Sequence, residues 1–160
     1  MKILINFCLI CLPLRHFIIN SPYGFRMHPI SGIYAMHYGL DLKARKDTVF
    51  AILDGRVISE GNNKRLGINI HLSHGAVESI YGHLSRLLVG LQDSVYAGQP
   101  IAITGSSGCV TGEHLHFSIR SGQRYINPLK FLYKFLNNQQ NERQFQKTAG
   151  SAFRKAGGGT

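Results

Sequence analysis

From Ile68 to Ser73 (INIHLS) and from His114 to Arg120 (HLHFSIR), apolar and polar side chains alternate one for one. A period of two belongs to a half-buried β-strand, because successive side chains point to opposite faces of a sheet. Ile68, Ile70 and Leu72 therefore share one face, and Asn69, His71 and Ser73 the other. Further β-prone runs, cut by Gly and Pro at short intervals, are Thr48 to Leu53, Arg56 to Ser59, Val77 to Tyr81 and Ile101 to Thr104. Many short strands joined by turns indicate an antiparallel fold. Asp54-Gly55 is a strong hairpin signal and predicts Arg56–Ser59 as the return strand of Thr48–Leu53. A turn at His74-Gly75 predicts Val77–Tyr81 as the partner of Ile68–Ser73. The Ser/Gly-rich stretch from Gly105 to Gly112 reads as a loop. One helix is expected: Asn127 can cap it, Pro128 suits its first turn, and Leu129, Leu132, Tyr133 and Leu136 recur at helical spacing. The predicted fold class is mainly β, with one short C-terminal helix.

A chain of 160 residues makes one domain, large enough to build a core without disulfides. Charged residues are 16% of the chain, against the usual ~25%, which excludes a long solvated helix or coiled coil. The chain divides into an apolar N-terminal segment (1–14), a body (15–136) and a polar, basic tail (137–160) expected to be disordered. Residues 1–14 (MKILINFCLICLPL) place a lysine before a mostly apolar run, which suits a short signal segment; the competing reading is a buried first strand. No apolar run reaches the ~20 residues of a membrane-spanning helix.

Eighteen Lys and Arg against eight Asp and Glu give a net charge of +10, which favours anionic partners. The basic residues are scattered, with neither zinc-finger spacing nor a reader helix, so no nucleic acid is expected. Cys8-x-x-Cys11 lacks a second pair and a surrounding βα unit. With Cys109 as the remaining cysteine, neither a structural zinc knuckle nor a disulfide framework is indicated.

Eight histidines is a high number, and they divide into two groups. His16, His28, His71 and His74 have no obvious partners and read as surface or turn residues. In a strand, His114 and His116 point the same way, backed by Leu115, Phe117 and Ile119 in the core. His37 and Asp41 would stand ~13 Å apart in a straight strand, and Tyr38-Gly39 is poor helix material. A bend or bulge near Gly39 would bring both to one point. A catalytic zinc site needs three protein ligands and an open position. His37, Asp41 and one of His114 or His116 could supply them. His83, in Tyr81-Gly82-His83-Leu84, and the unused histidine would then remain to move a proton or stabilise an oxyanion.

The ordered motifs carry a resemblance. They are Ser21-Pro22-Tyr23-Gly24-Phe25-Arg26, His37-x-x-x-Asp41, Asp54-Gly55-x-Val57, Tyr81-Gly82-His83-Leu84, Val95-x-Ala97-Gly98-Gln99-x-Ile101, Gly105-x-x-Gly108, Gly112-Glu113-His114-Leu115-His116-Phe117 and Asn127-Pro128. The chain resembles the lysostaphin/LytM-type peptidoglycan zinc metalloendopeptidases from about residue 20 to 132. The resemblance implies an antiparallel β-sheet domain of that (duplicated hybrid motif) type over 15–136, with a groove above one Zn2+ per chain. It implies His37, Asp41 and His116 as metal ligands and His83 and His114 as catalytic residues beside the metal-bound water. It further implies hydrolysis of peptide bonds in peptidoglycan cross-links or stem peptides. Peptidoglycan, with anionic cell-wall polymers, would be the partner of a monomer in the periplasm or outside the cell. The alternative is a non-catalytic module of the same fold that binds wall or activates another hydrolase. An Fe(II) oxygenase using two His and a carboxylate fits the spacing poorly.

Overall fold

The computed structural model describes residues 10–27 and 30–141. In chain order its strands are β1 (Ile19–Ser21), β2 (Gly24–Met27), β3 (Tyr34–His37), β4 (Leu40–Lys43), β5 (Thr48–Phe50), β6 (Gly55–Asn63), β7 (Gly67–Ser73), β8 (Glu78–Leu87), β9 (Ser94–Val95), β10 (Pro100–Thr104), β11 (His114–Ser121) and β12 (Arg124–Ile126). A helix, α1 (128–141), follows. Ten strands form one sheet, with the order β1-β4-β11-β8-β7-β6-β9 along its main path; β12 pairs with β11, and β10 with β5 and β8. β2 and β3 form a separate two-stranded sheet. Every pairing is antiparallel.

β11 lies between β4 and β8, and its alternation does what the pattern demands. Leu115, Phe117 and Ile119 are fully buried, as are Leu40 and Leu42 of β4 and Leu84 of β8. Because side chains alternate, the partly exposed His114 and His116 are fixed on the other face by that apolar layer. β7 pairs with β8 as expected. On β7 the polar-face residue Asn69 is itself buried, and its amide donates to the carbonyls of Gly61 (3.2 Å) and Gly67 (2.7 Å).

Two expectations need correction. β5 ends at Phe50 and pairs with β10, whereas β6 pairs with β7 and β9, so Asp54-Gly55 does not close a hairpin. Ala51, Ile52 and Leu53 form a buried connection, and Asp54 Oδ1 accepts the Ala97 N–H (2.8 Å). The turn chemistry serves a contact with a distant loop. In α1 the packed side chains are Phe131, Leu132, Phe135 and Leu136, while Leu129 and Tyr133 are exposed. The expected cap is present: Asn127 Oδ1 accepts from Leu129 N (3.0 Å) and Lys130 N (3.2 Å). The helix runs through 141, so the first residues of the expected tail are helical; 142–160 lie outside the described residues.

The described part of the apolar N-terminal segment is built into the domain. Ile10 and Leu14 join the core, Cys11 N donates to Ile52 O (2.8 Å), and Phe50 N donates to Pro13 O (3.0 Å). Residues 1–9, with Cys8, lie outside the described residues; Cys11 and Cys109 are free thiols. Among the described residues, no helix is long and apolar enough to cross a membrane.

Candidate metal centre

The chain bends at Gly39 between β3 and β4, so His37 leaves the small sheet just as Asp41 enters the large one. Asp41 lies directly opposite His116 in the β4–β11 pairing. Glycine is required at the bend, because a Cβ on Gly39 would lie 2.5 Å from the His116 ring. Three atoms converge there. His116 Nδ1 is 2.8 Å from Asp41 Oδ1, His37 Nε2 is 3.2 Å from the same oxygen, and the two ring nitrogens are 3.3 Å apart.

Each of these side chains is oriented by its other polar atom. His37 Nδ1 donates to Pro22 O (2.8 Å), His116 Nε2 meets Ser118 Oγ (3.0 Å), and Asp41 Oδ2 accepts from Arg26 Nη2 (3.3 Å). The carbonyl of Pro22 can only accept, so His37 carries its proton on Nδ1 and turns the Nε2 lone pair inward. Such outward bonds are the usual way a ligating ring is fixed. Two imidazole nitrogens and a carboxylate oxygen facing one point suit a divalent cation. For zinc–ligand distances of ~2.0–2.1 Å, tetrahedral ligand atoms stand roughly 3.3 Å apart. The site fits a tetrahedral ion, with one edge somewhat short.

The other two predicted histidines flank this centre. His114 Nδ1 donates to Gly112 O (2.8 Å), which leaves Nε2 free at 3.6 Å from Asp41 Oδ1. His83 Nδ1 donates to Ser107 O (2.8 Å), and its ring lies 4.7 Å from that of His114 and 5.8 Å from that of His116, centre to centre. β8 advances one residue more than β7 between the Ile70–Tyr81 and Ile68–Leu84 pairs. This bulge contains His83, whose φ is +60°. A non-glycine residue rarely takes that conformation, and here it re-aims the ring over the site. Tyr81 is buried, Gly82 lies opposite His116, and His83 N donates to Leu66 O (2.7 Å). Each residue of the Tyr-Gly-His segment thus has its own task.

Burial works on the charges. It raises the pKa of Asp41, but hydrogen bonds from His116 and His37, and the charge those rings can carry, overcome it and hold the carboxyl well below the usual range. Burial pushes His116 below its ordinary value. It also pushes His83 down to about 4, against the pull of the Ser107 carbonyl. His83 is therefore neutral at pH 7.

A cleft of about 470 Å3 opens over the centre, with Arg26, Arg65, His83 and Thr111 in its lining. A smaller one of about 180 Å3 continues past His116, between Tyr38, Tyr125, Ser118 and Arg65. The residues read as surface or turn stay out of the site. His16 is exposed, His71 pairs with Glu78 (2.7 Å), and His74 bonds Asp54 O (2.8 Å) and Ser79 Oγ (2.7 Å). His28 lies outside the described residues. Sequence reasoning assigned no role to Arg26, Ser118 or Arg65. Ser118 was within reach, two residues beyond His116 on the same strand face; Arg26 closes the Ser21–Arg26 motif, which gave it no role, and no local pattern marks Arg65.

Comparison with known proteins places these features in a family. Residues 35–128 match the model described as peptidase family M23. The chain is 37% identical over 119 residues to the DD-carboxypeptidase/endopeptidase Mpg of Neisseria meningitidis serogroup B, covering 73% of this chain and 27% of that protein. It is 34% identical over 127 residues to the murein hydrolase activator EnvC of Escherichia coli, covering 71% of this chain and 30% of that one. The chain thus matches less than a third of the length of these relatives. The solved catalytic domain of lysostaphin from Staphylococcus simulans superposes with a TM-score of 0.65 at 32% identity, covering 73% of this chain and 92% of that domain.

Proposed function

Because the chain belongs to peptidase family M23, we propose that it hydrolyses peptide bonds in peptidoglycan cross-links or stem peptides, with zinc held by His37, Asp41 and His116. The observation that carries this reading is the convergence of His37 Nε2, Asp41 Oδ1 and His116 Nδ1 beside two further imidazoles. Three protein ligands leave the open position that catalytic zinc sites keep. When bound, zinc acidifies a water and polarises the scissile carbonyl.

The residues around it move the protons. His83 and His114 each give their Nδ1 proton to a backbone carbonyl, so each presents an Nε2 lone pair. A lone pair at Nε2 can take the proton of the attacking water, and the resulting imidazolium can donate to the oxyanion or to the leaving amine. His83, kept neutral by burial, is free to accept. The net charge of +10 suits adhesion to anionic wall polymers in the cell envelope, an attraction that salt weakens. A second reading, a wall-binding or hydrolase-activating module, has the similarity to EnvC in its favour. That role has no need of three ligand atoms aimed at one point.

Metal analysis and a muropeptide digest test the proposal together. The expected result is one zinc per chain and new amino termini in purified sacculi, both absent in His116→Ala. Cleavage by the metal-free protein would overturn the mechanism. Wall binding with no new termini would favour the second reading.

A further inference from the structure

Arg65 stands at the tip of the β6–β7 hairpin, where an arginine would ordinarily be loosely placed, yet its backbone is tied on both sides. Its N–H donates to Asn63 Oδ1 (3.0 Å), and its carbonyl accepts from Cys109 N (3.3 Å). The residues that follow are tied as well. Leu66 N donates to the same Asn63 oxygen (2.8 Å), Leu66 O accepts from His83 N (2.7 Å), and Ile68 N donates to Ser107 Oγ (2.9 Å). Gly67 and Gly108 pack backbone to backbone, so that a Cβ on Gly108 would lie 2.3 Å from Gly67 N. The hairpin tip and the loop 105–112 therefore act as one mount, and the same mount seats His83.

From that mount the exposed Arg65 side chain borders both the larger cleft over the metal centre and the smaller one beyond His116. Among the described residues it makes no ion pair. Among the described residues the lining of the two clefts contains one carboxylate, Asp41, whose oxygens are taken up by His37, His116 and Arg26. An unpaired guanidinium carried on a fixed backbone beside the path of a bound chain matches a carboxylate, which its planar fork can engage through two parallel hydrogen bonds.

We propose that Arg65 is a specificity-determining residue that binds a free carboxylate close to the scissile amide, so that the substrate is an anionic stem peptide and not an uncharged bridge. This inference rests on the reading of the centre as a peptidase site. The test uses two cross-linked peptides that differ only in bearing a carboxylate or a carboxamide beside the scissile amide, with an oligoglycine peptide as a third. Zinc-loaded protein is expected to prefer the carboxylate by about tenfold in kcat/KM, the scale of a charge-assisted hydrogen bond at an open site. The preference should shrink with added salt. Arg65→Ala should bring the ratio close to one with zinc content and thermal midpoint unchanged, and Arg65→Lys should keep part of it. Equal rates in the unaltered protein, or a preference that survives Arg65→Ala, would overturn the inference while leaving the peptidase reading intact. Failure to cleave any of the three peptides would count against the peptidase reading. Calorimetric titration of the carboxylate and the carboxamide peptide onto His114→Ala protein, with and without Arg65→Ala, then decides the inference alone: equal affinities sink it, and a tighter carboxylate complex that needs Arg65 sustains it.

Discussion

The candidate metal centre has two unlike sides. Asp41, His83, His114 and His116 come from β4, β8 and β11, adjacent strands of the large sheet whose opposite face is the core. His37 and Arg26 come from the β2–β3 pair, which forms its own sheet and whose outer face shows Phe25 (68% exposed), Met27 (60%) and Tyr34 (66%) to solvent. The sheet side is held by apolar burial, whereas the hairpin side reaches the site through polar contacts such as Arg26 to Asp41. Packing can thus preform most of the proposed ligand set, and the last proposed ligand, His37, arrives on an element that a bound cation would itself help to hold.

The largest expected effect tests whether both sides belong to one site. His37→Ala and His116→Ala should each abolish zinc retention and cleavage, since two ligands do not hold the ion. His114→Ala should keep the metal and lower kcat by ~10²–10⁴. Metal analysis beside turnover on sacculi reads all three. A His37→Ala protein with full metal and rate would remove the hairpin from the site.

The next effect separates the two sides by stability. Phe117→Ala, behind His116, should cost about 3–5 kcal/mol, whereas Phe25→Ser on the hairpin should stay within about 0.5 kcal/mol. Urea midpoints of metal-free protein measure both. Equal losses would mean that the hairpin is as firmly packed as the sheet.

Acid should also act on the sheet side. An unfolded histidine binds its proton near 6.5, while His83 in the folded protein does so at about 4. Between those values the unfolded chain binds more protons, so stability falls as pH drops through that window and is unaffected above it. His74 and His116, both lowered by burial, work in the same direction. The metal-free protein should lose on the order of 1–3 kcal/mol from pH 7 to pH 4. His83→Asn should flatten the curve, because Asn tolerates a positive φ and does not titrate. An unchanged slope in that variant would show that His83 is not the source.

The same two sides differ in how far they could be read from the sequence. Alternation along β11 placed His114 and His116 on one face and Phe117 in the core, because a period of two is a local property of the chain. The bend at Gly39 was also local: His37 and Asp41 could not meet in a straight strand, and Tyr38-Gly39 is poor material for the helix in which they could. The pairing of β5 with β10 was not legible, since its partner lies some fifty residues away (Thr48 against Ile103) and Asp54-Gly55 imitates a hairpin turn. On α1, helical spacing picked out Leu129 and Tyr133, but docking against the core selected Phe131 and Phe135. The positive φ of His83 and the approach of Arg26 to Asp41 arise from tertiary contacts and leave no periodic trace.

Arg26 offers the finest test of the contrast. Its Nη2 lies 3.3 Å from Asp41 Oδ2, while its Nε is buried with no hydrogen-bond partner among the described residues. One donor therefore orients the carboxylate, and the guanidinium bears an unmet desolvation cost. Occupying Oδ2 leaves Oδ1 to face the two histidines, and a bond of this kind to a ligating carboxylate typically changes metal affinity by ~10–100-fold. Arg26→Ala should weaken zinc binding by about that factor in chelator competition, with little change in urea midpoint for the metal-free protein, since the hairpin adds little to the core. Arg26→Lys should recover part of the affinity, because it restores the charge without the planar fork. If Arg26→Ala lowered metal-free stability as much as Phe117→Ala while leaving zinc affinity intact, the hairpin would be a structural brace of the sheet, and the division between a packed side and a metal-closed side would fail.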